Sequence, residues 1–174
     1  MRWLLLVLIA LGFGLPVRAT DPANKQDAAP SPPSASFVAA AAAGDLFEIK
    51  SGKLALARSK SETVRALANR MVADHMAASA KLKQVVSKEM LAAPSDQLDA
   101  KHKAILDDLS KKDDASFDRA YVDAQYKVHL DAIDLFKAYA KGTDNAALKR
   151  YAADMLPTLQ AHLEQINKLR GQPA

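Results

Sequence analysis

The sequence predicts an all-α fold, an antiparallel four-helix bundle with a short extra crossover helix. Three observations carry that prediction. From Phe37 onward the chain is rich in Ala, Leu, Lys and Asp and has no run that reads as a strand. Over four long segments, apolar residues recur at steps of three and four, as one buried face of a helix requires. Short polar turns join the first pair of segments and the last pair, which makes the members of each pair antiparallel neighbours.

The first residues read as an address rather than architecture. Met1-Arg2 precede an apolar run from Trp3 to Leu15, and Pro16-Val17-Arg18-Ala19 follow with small residues where a signal peptidase cuts. Residues 1–19 are expected to be a signal peptide cleaved after Ala19, which sends the protein to the periplasm. The run falls short of the roughly 20 apolar residues of a membrane helix, so a retained anchor is the weaker reading and no transmembrane helix is expected after cleavage. Residues 20–36 hold Pro22, Pro30, Pro32 and Pro33 among Ala, Ser, Asp and Lys, a composition that buries nothing and predicts a disordered linker. Residues 37–170 then form one bundle domain.

Composition excludes several function classes. The chain has no cysteine, so neither a disulfide nor lipid attachment at a cysteine can form. Its 24 basic and 20 acidic residues are interspersed, and Arg2 and Arg18 leave with the signal. No basic cluster accompanies aromatic stacking residues, so no nucleic-acid partner is expected despite a pI near 9.2.

The first helix is expected over about residues 36–58, with Phe37, Ala41, Gly44, Glu48, Ser51 and Ala55 on one stripe. Its two glycines, Gly44 and Gly52, suggest close approach to a neighbour. The second starts after an N-cap at Ser59 or Ser61 and runs to about Lys88, with Val64, Ala68, Met71, His75, Ala78, Leu82 and Val85 on its stripe. Asp74 is turned about 100° from His75 and is expected to orient or pair near the helix surface. Pro94 interrupts the pattern, and a short third helix covers roughly Leu98 to Lys111.

Asp113 to Ser116 cap a fourth helix that ends at Gly142. Phe117, Tyr121, Gln125, Val128, Ala132, Leu135, Phe136 and Tyr139 form its stripe, with His129 at the edge. The fifth helix, to about Arg170, carries Leu148, Ala152, Met155, Leu159, His162, Ile166 and Leu169 at a regular 4-3-4-3-4-3 spacing. Pro157 removes one backbone donor inside it, a bend that the curvature of a bundle tolerates.

Paired in hairpins, these helices bring four ionisable side chains to similar heights. Measured from the turns at a rise of 1.5 Å per residue, Glu48, His75, His129 and His162 lie at about 17, 24, 23 and 27 Å. One carboxylate and three imidazoles, one from each long helix, can then share a polar pocket in an apolar core. Three imidazoles and a carboxylate form an ordinary transition-metal set, and bundles build metal sites from such inward side chains. The competing reading is a hydrogen-bonded histidine network with no ligand, in which Tyr121 and Gln125 supply the partners. His102, on the crossover helix, is expected at the surface, and Met71 and Met155 read as packing residues.

Met71-x-x-Asp74-His75, Phe117-Asp118-x-x-Tyr121-x-x-x-Gln125-x-x-x-His129 and Pro157-x-x-x-x-His162 together resemble the bacterial family known only as domain of unknown function 4142. The resemblance covers roughly Phe37 to Leu169. It implies a ferritin-like four-helix bundle in an exported, often periplasmic or membrane-associated, protein, with no activity attached. Di-iron bundles place a glutamate three residues before each ligating histidine. Here those positions hold Val72, Tyr126 and Leu159, so no paired di-iron site is expected.

The leading expectation is a non-enzymatic periplasmic bundle whose His75, His129, His162 and Glu48 bind one transition metal ion or a small ligand, with Asp74, Tyr121, Gln125 and Asp118 around them. A mononuclear-metal enzyme is the second reading. A structural or envelope-stress interaction domain with a histidine network is the third.

Overall fold

The computed structural model describes residues 31–142 and 144–171. The expected signal peptide and most of the linker lie outside them. Five helices follow in order: α1 (Ser34–Arg58), α2 (Glu62–Lys88), α3 (Ala100–Lys111), α4 (Asp114–Lys141) and α5 (Ala146–Arg170). None of these helices is long and apolar enough to cross a membrane.

The starts of α2 to α5 are set by short polar side chains that satisfy otherwise orphaned backbone donors. Ser61 accepts from the Val64 amide, Asp99 from His102, Asp113 from Ser116, and Asn145 from both Ala147 and Leu148. Ser59 instead closes α1, and its hydroxyl accepts the Ser61 amide at 3.1 Å. The first helix begins at Ser34, so the end of the expected linker is helical. There the Ser34 amide donates to Asp144 at 2.5 Å and its hydroxyl pairs with Tyr139 at 2.7 Å, tying the start of α1 to the α4–α5 turn.

α1 and α2 form one hairpin and α4 and α5 the other; α2 also packs on α5, and α1 on α4. Phe37 near the start of α1 stacks on Tyr139 near the end of α4 and meets Tyr151 near the start of α5. Every neighbouring pair is therefore antiparallel, and α2 runs the same way as α4. The connection between those two must return the length of the bundle, and α3 does so across α1 and α4. Arg58 fixes this crossover by donating to the carbonyls of Leu109 and Lys112 while lying over the Phe117 ring.

Among the described residues the interior has two apolar clusters. One gathers Phe37, Val38, Leu82, Ile133, Phe136, Tyr139, Leu148 and Tyr151; the other gathers Phe47, Leu67, Met71, Leu109, Phe117, Tyr121, Val122 and Ile166. Met71 is buried packing, as expected, and Met155 packs against the first cluster. At about 1.5–3 kcal/mol for each fully buried large apolar side chain, these clusters supply most of the drive to fold.

The two glycines of α1 behave differently. A Cβ at Gly52 would lie 2.7 Å from Val72 Cγ2 and 3.2 Å from the Ala68 carbonyl, so Gly52 does allow α2 to approach. A Cβ at Gly44 would meet nothing within 4 Å, so the expected close approach does not occur there.

Candidate metal centre

Between the two clusters lies a buried polar layer: Asp45, Glu48 and Ser51 from α1, His75 from α2, Gln125 and His129 from α4, and His162 from α5. On each long helix its members fall between residues of the two clusters, such as His162 between Leu159 and Ile166. Helical phase turns these positions inward, so the polar residues cannot reach bulk water and must satisfy one another or a ligand.

The three imidazoles converge. Their ring centroids are separated by 5.8 Å (His75–His129), 5.5 Å (His75–His162) and 5.4 Å (His129–His162), close to an equilateral triangle. One nitrogen from each ring lies within 4.8 Å of the other two.

The opposite ring nitrogens fix the tautomers. His129 Nδ1 is 2.9 Å from the Gln125 carbonyl oxygen, which can only accept, so this nitrogen carries the proton and Nε2 carries the lone pair. His75 Nδ1 donates to Asp45 Oδ1 at 2.8 Å, which in the neutral ring leaves Nε2 free. His162 Nε2 donates to Asp74 Oδ2 at 2.8 Å, which leaves Nδ1 facing His129 Nε2 at 3.3 Å. All three lone pairs point into the triangle. A carboxylate or carbonyl behind each ring is the arrangement that orients histidine ligands at metal sites.

Charge in the layer is uneven. Burial pushes His129 down to about 3, helped by the neighbouring His75 and His162, so its ring is neutral. Burial likewise outweighs Asp74 at His162 and lowers it. At His75 burial acts downward, but the hydrogen bond it donates to Asp45 and the charges of Glu48, Asp45 and Asp74 outweigh it and raise the ring. Burial raises Asp45 and pushes Glu48 up to about 7.

The expected residues are placed as follows. His75, His129 and His162 form the triangle. Glu48 approaches His129 from the Nδ1 side at 3.7 Å, outside the group of mutually close ligand atoms, and neither of its oxygens has a hydrogen-bond donor. Asp74 does point away from His75, but it reaches across to His162 on α5 and pairs with Arg70 at 3.4 Å on its exposed side. Gln125 supports His129 through its backbone carbonyl, while its side-chain nitrogen donates to Ser51 Oγ at 3.2 Å. The Tyr121 hydroxyl and Asp118 Oδ1 are buried without hydrogen-bond partners, so neither supports an imidazole through a hydrogen bond.

Two residues depart from the sequence reading. Asp45 holds His75 but was absent from the expected set; its signal is the i, i+3 spacing with Glu48, which puts both carboxylates on one side of α1. His102 is only partly exposed rather than free on the surface. Its side chain is 12% exposed, its Nδ1 meets Asp99 at 2.8 Å and its ring lies 5.3 Å from Phe47, because α3 docks on α1.

The chain belongs to the family described as Domain of unknown function (DUF4142), whose model matches residues 19–169. No curated protein matches it. Among solved structures it is similar to a DUF305 fragment from Deinococcus radiodurans, with a TM-score of 0.70 at 16% identity over 82% of this chain and 98% of that one. That likeness shows the shared helical-bundle fold.

Proposed function

We propose that this member of the DUF4142 family is an exported, periplasmic metal-binding bundle that holds one transition metal ion between His75 Nε2, His129 Nε2 and His162 Nδ1. The observation that carries the reading is the set of three inward lone pairs from three helices, each ring anchored at its other nitrogen. In a tetrahedral shell with metal–nitrogen bonds near 2.1 Å, ligand nitrogens sit about 3.4 Å apart. The His129–His162 pair is already at 3.3 Å, and His75 closes the shell by moving inward.

Charge supports a cation of this kind. Asp45 and Asp74 act through His75 and His162, and Glu48 lies beside His129, so three carboxylates surround a divalent ion. Imidazole ligands suit zinc, copper, nickel or iron, and the geometry supports one ion rather than a bridged pair. The apolar run Trp3–Leu15 ahead of Ala19 supports export.

The test is metal loading of the purified chain after chelation, with Zn²⁺, Cu²⁺, Ni²⁺ and Fe²⁺ offered separately, followed by elemental analysis and thermal melts. One equivalent should be retained and the melt should rise, since ligand at 100 times Kd stabilises by about 2.7 kcal/mol. Replacing His75, His129 and His162 together by Gln should abolish both effects. Unchanged melts with every ion would refute the proposal.

A further inference from the structure

Beside the imidazole triangle a cavity of about 230 Å³ runs from the polar layer toward the start of α3. Its walls are apolar, among them Ala40, Gly44, Ala132, Leu135 and Phe136, and Lys101 and His102 stand at its outer rim. At that rim the polar groups satisfy one another, Lys101 with Asp131 at 2.5 Å and His102 with Asp99 at 2.8 Å.

The inner end is different. Glu48 and Asp45 line it, with residue exposures of 1% and 6%. Neither Glu48 oxygen has a hydrogen-bond partner, nor does Asp45 Oδ2. When these carboxyls are ionised each of the three oxygens is only an acceptor, so the chemistry that completes this end must donate. Buried acceptors without donors are unfavourable, and an ionised donor meets them best.

Gly44 points the same way. Glycine inside a helix costs stability relative to alanine, and here no neighbour requires it. What its missing side chain provides is room in the cavity.

We propose that this cavity binds a small primary ammonium ion with a compact apolar body, the ammonium donating to Glu48 and Asp45 and the body lying along Gly44, Ala132 and Leu135. Three N–H donors answer the three unmatched carboxylate oxygens. Two carboxylates at the inner end repel an anion, and a purely apolar guest would leave them unanswered. An apolar cavity of about 150 Å³ takes benzene, so the present one has space for benzylamine. The inference goes beyond the metal proposal and does not depend on it, because it uses the carboxylate edge of the layer rather than the lone pairs inside the triangle.

Calorimetric titration of the metal-free full chain near neutral pH with benzylamine, benzyl alcohol and benzoate tests it. Benzylamine should bind roughly tenfold or more tighter than benzyl alcohol, the scale of one charge-assisted contact, and benzoate should not bind. Glu48→Gln should weaken benzylamine by a similar factor. Gly44→Leu, with its fold checked by circular dichroism, should abolish binding while leaving zinc uptake intact, so the two proposals fail separately. Benzylamine binding that is absent, no tighter than that of benzyl alcohol, or undiminished in Gly44→Leu would overturn the inference.

Discussion

The apolar cluster around Phe37 and the polar layer one to two turns away are equally buried, yet they do opposite things for the chain. In the cluster, Phe37 stacks on Tyr139 with centroids 4.0 Å apart and meets Phe136 edge-on at 5.1 Å, so every contact lowers the energy of the fold. In the layer, Asp45, Glu48, His75, His129 and His162 give up hydration and regain only part of it within the protein. The difference teaches that stability resides at the two ends of this bundle and that its middle is kept for something else.

The largest expected effect breaks the stable side of that comparison. Phe37→Ala should lower unfolding free energy by about 3–5 kcal/mol, measured by denaturant melts, while leaving metal stoichiometry unchanged. The next acts on the costly side. Glu48 is raised by burial from 4.5 to about 7, so the folded state holds this proton more tightly than the unfolded chain does. Its stability contribution is intact below the unfolded value and declines as pH rises from 4.5 toward 7. Metal-free Glu48→Gln should therefore gain on the wild type across that window, by on the order of 2–3 kcal/mol in paired urea melts. A constant difference at all pH values would place no ionisation cost on Glu48.

Removing support behind a ligand should matter less. Asp74→Asn should weaken metal affinity by roughly 10–100-fold, read by competition with a chromogenic chelator, with only a small change in metal-free stability. The smallest effect separates the two glycines. Gly44→Ala should raise stability by about 0.5–1 kcal/mol, because its Cβ enters open space. Gly52→Ala should lower stability, because its Cβ would press on Val72 and the Ala68 carbonyl. Thermal melts of the pair decide the matter.

Much of this was legible in the sequence. Helical spacing placed Met71 and His75 on one stripe and Leu159, His162 and Ile166 on another, and counting from the turns put three histidines at one height. Periodicity works there because each long helix has a single buried face. It fails where the partner is set by the angle between helices. Asp74 lies off the His75 stripe and still reaches His162, since α5 packs against that flank of α2. The burial of His102 depended on the path of the crossover, which the spacing of a twelve-residue helix does not encode. Asp45 was missed because a charged residue beside Gly44 reads as a solvated face until its partner on α2 is known.

The triangle also joins the two hairpins, with His75 on the first and His129 and His162 on the second. A metal held between them would be a clasp to be undone before the hairpins separate, while each hairpin is built from its own helix pair. Loading would therefore act on lifetime: it would slow the escape from the native state far more than it would speed the return.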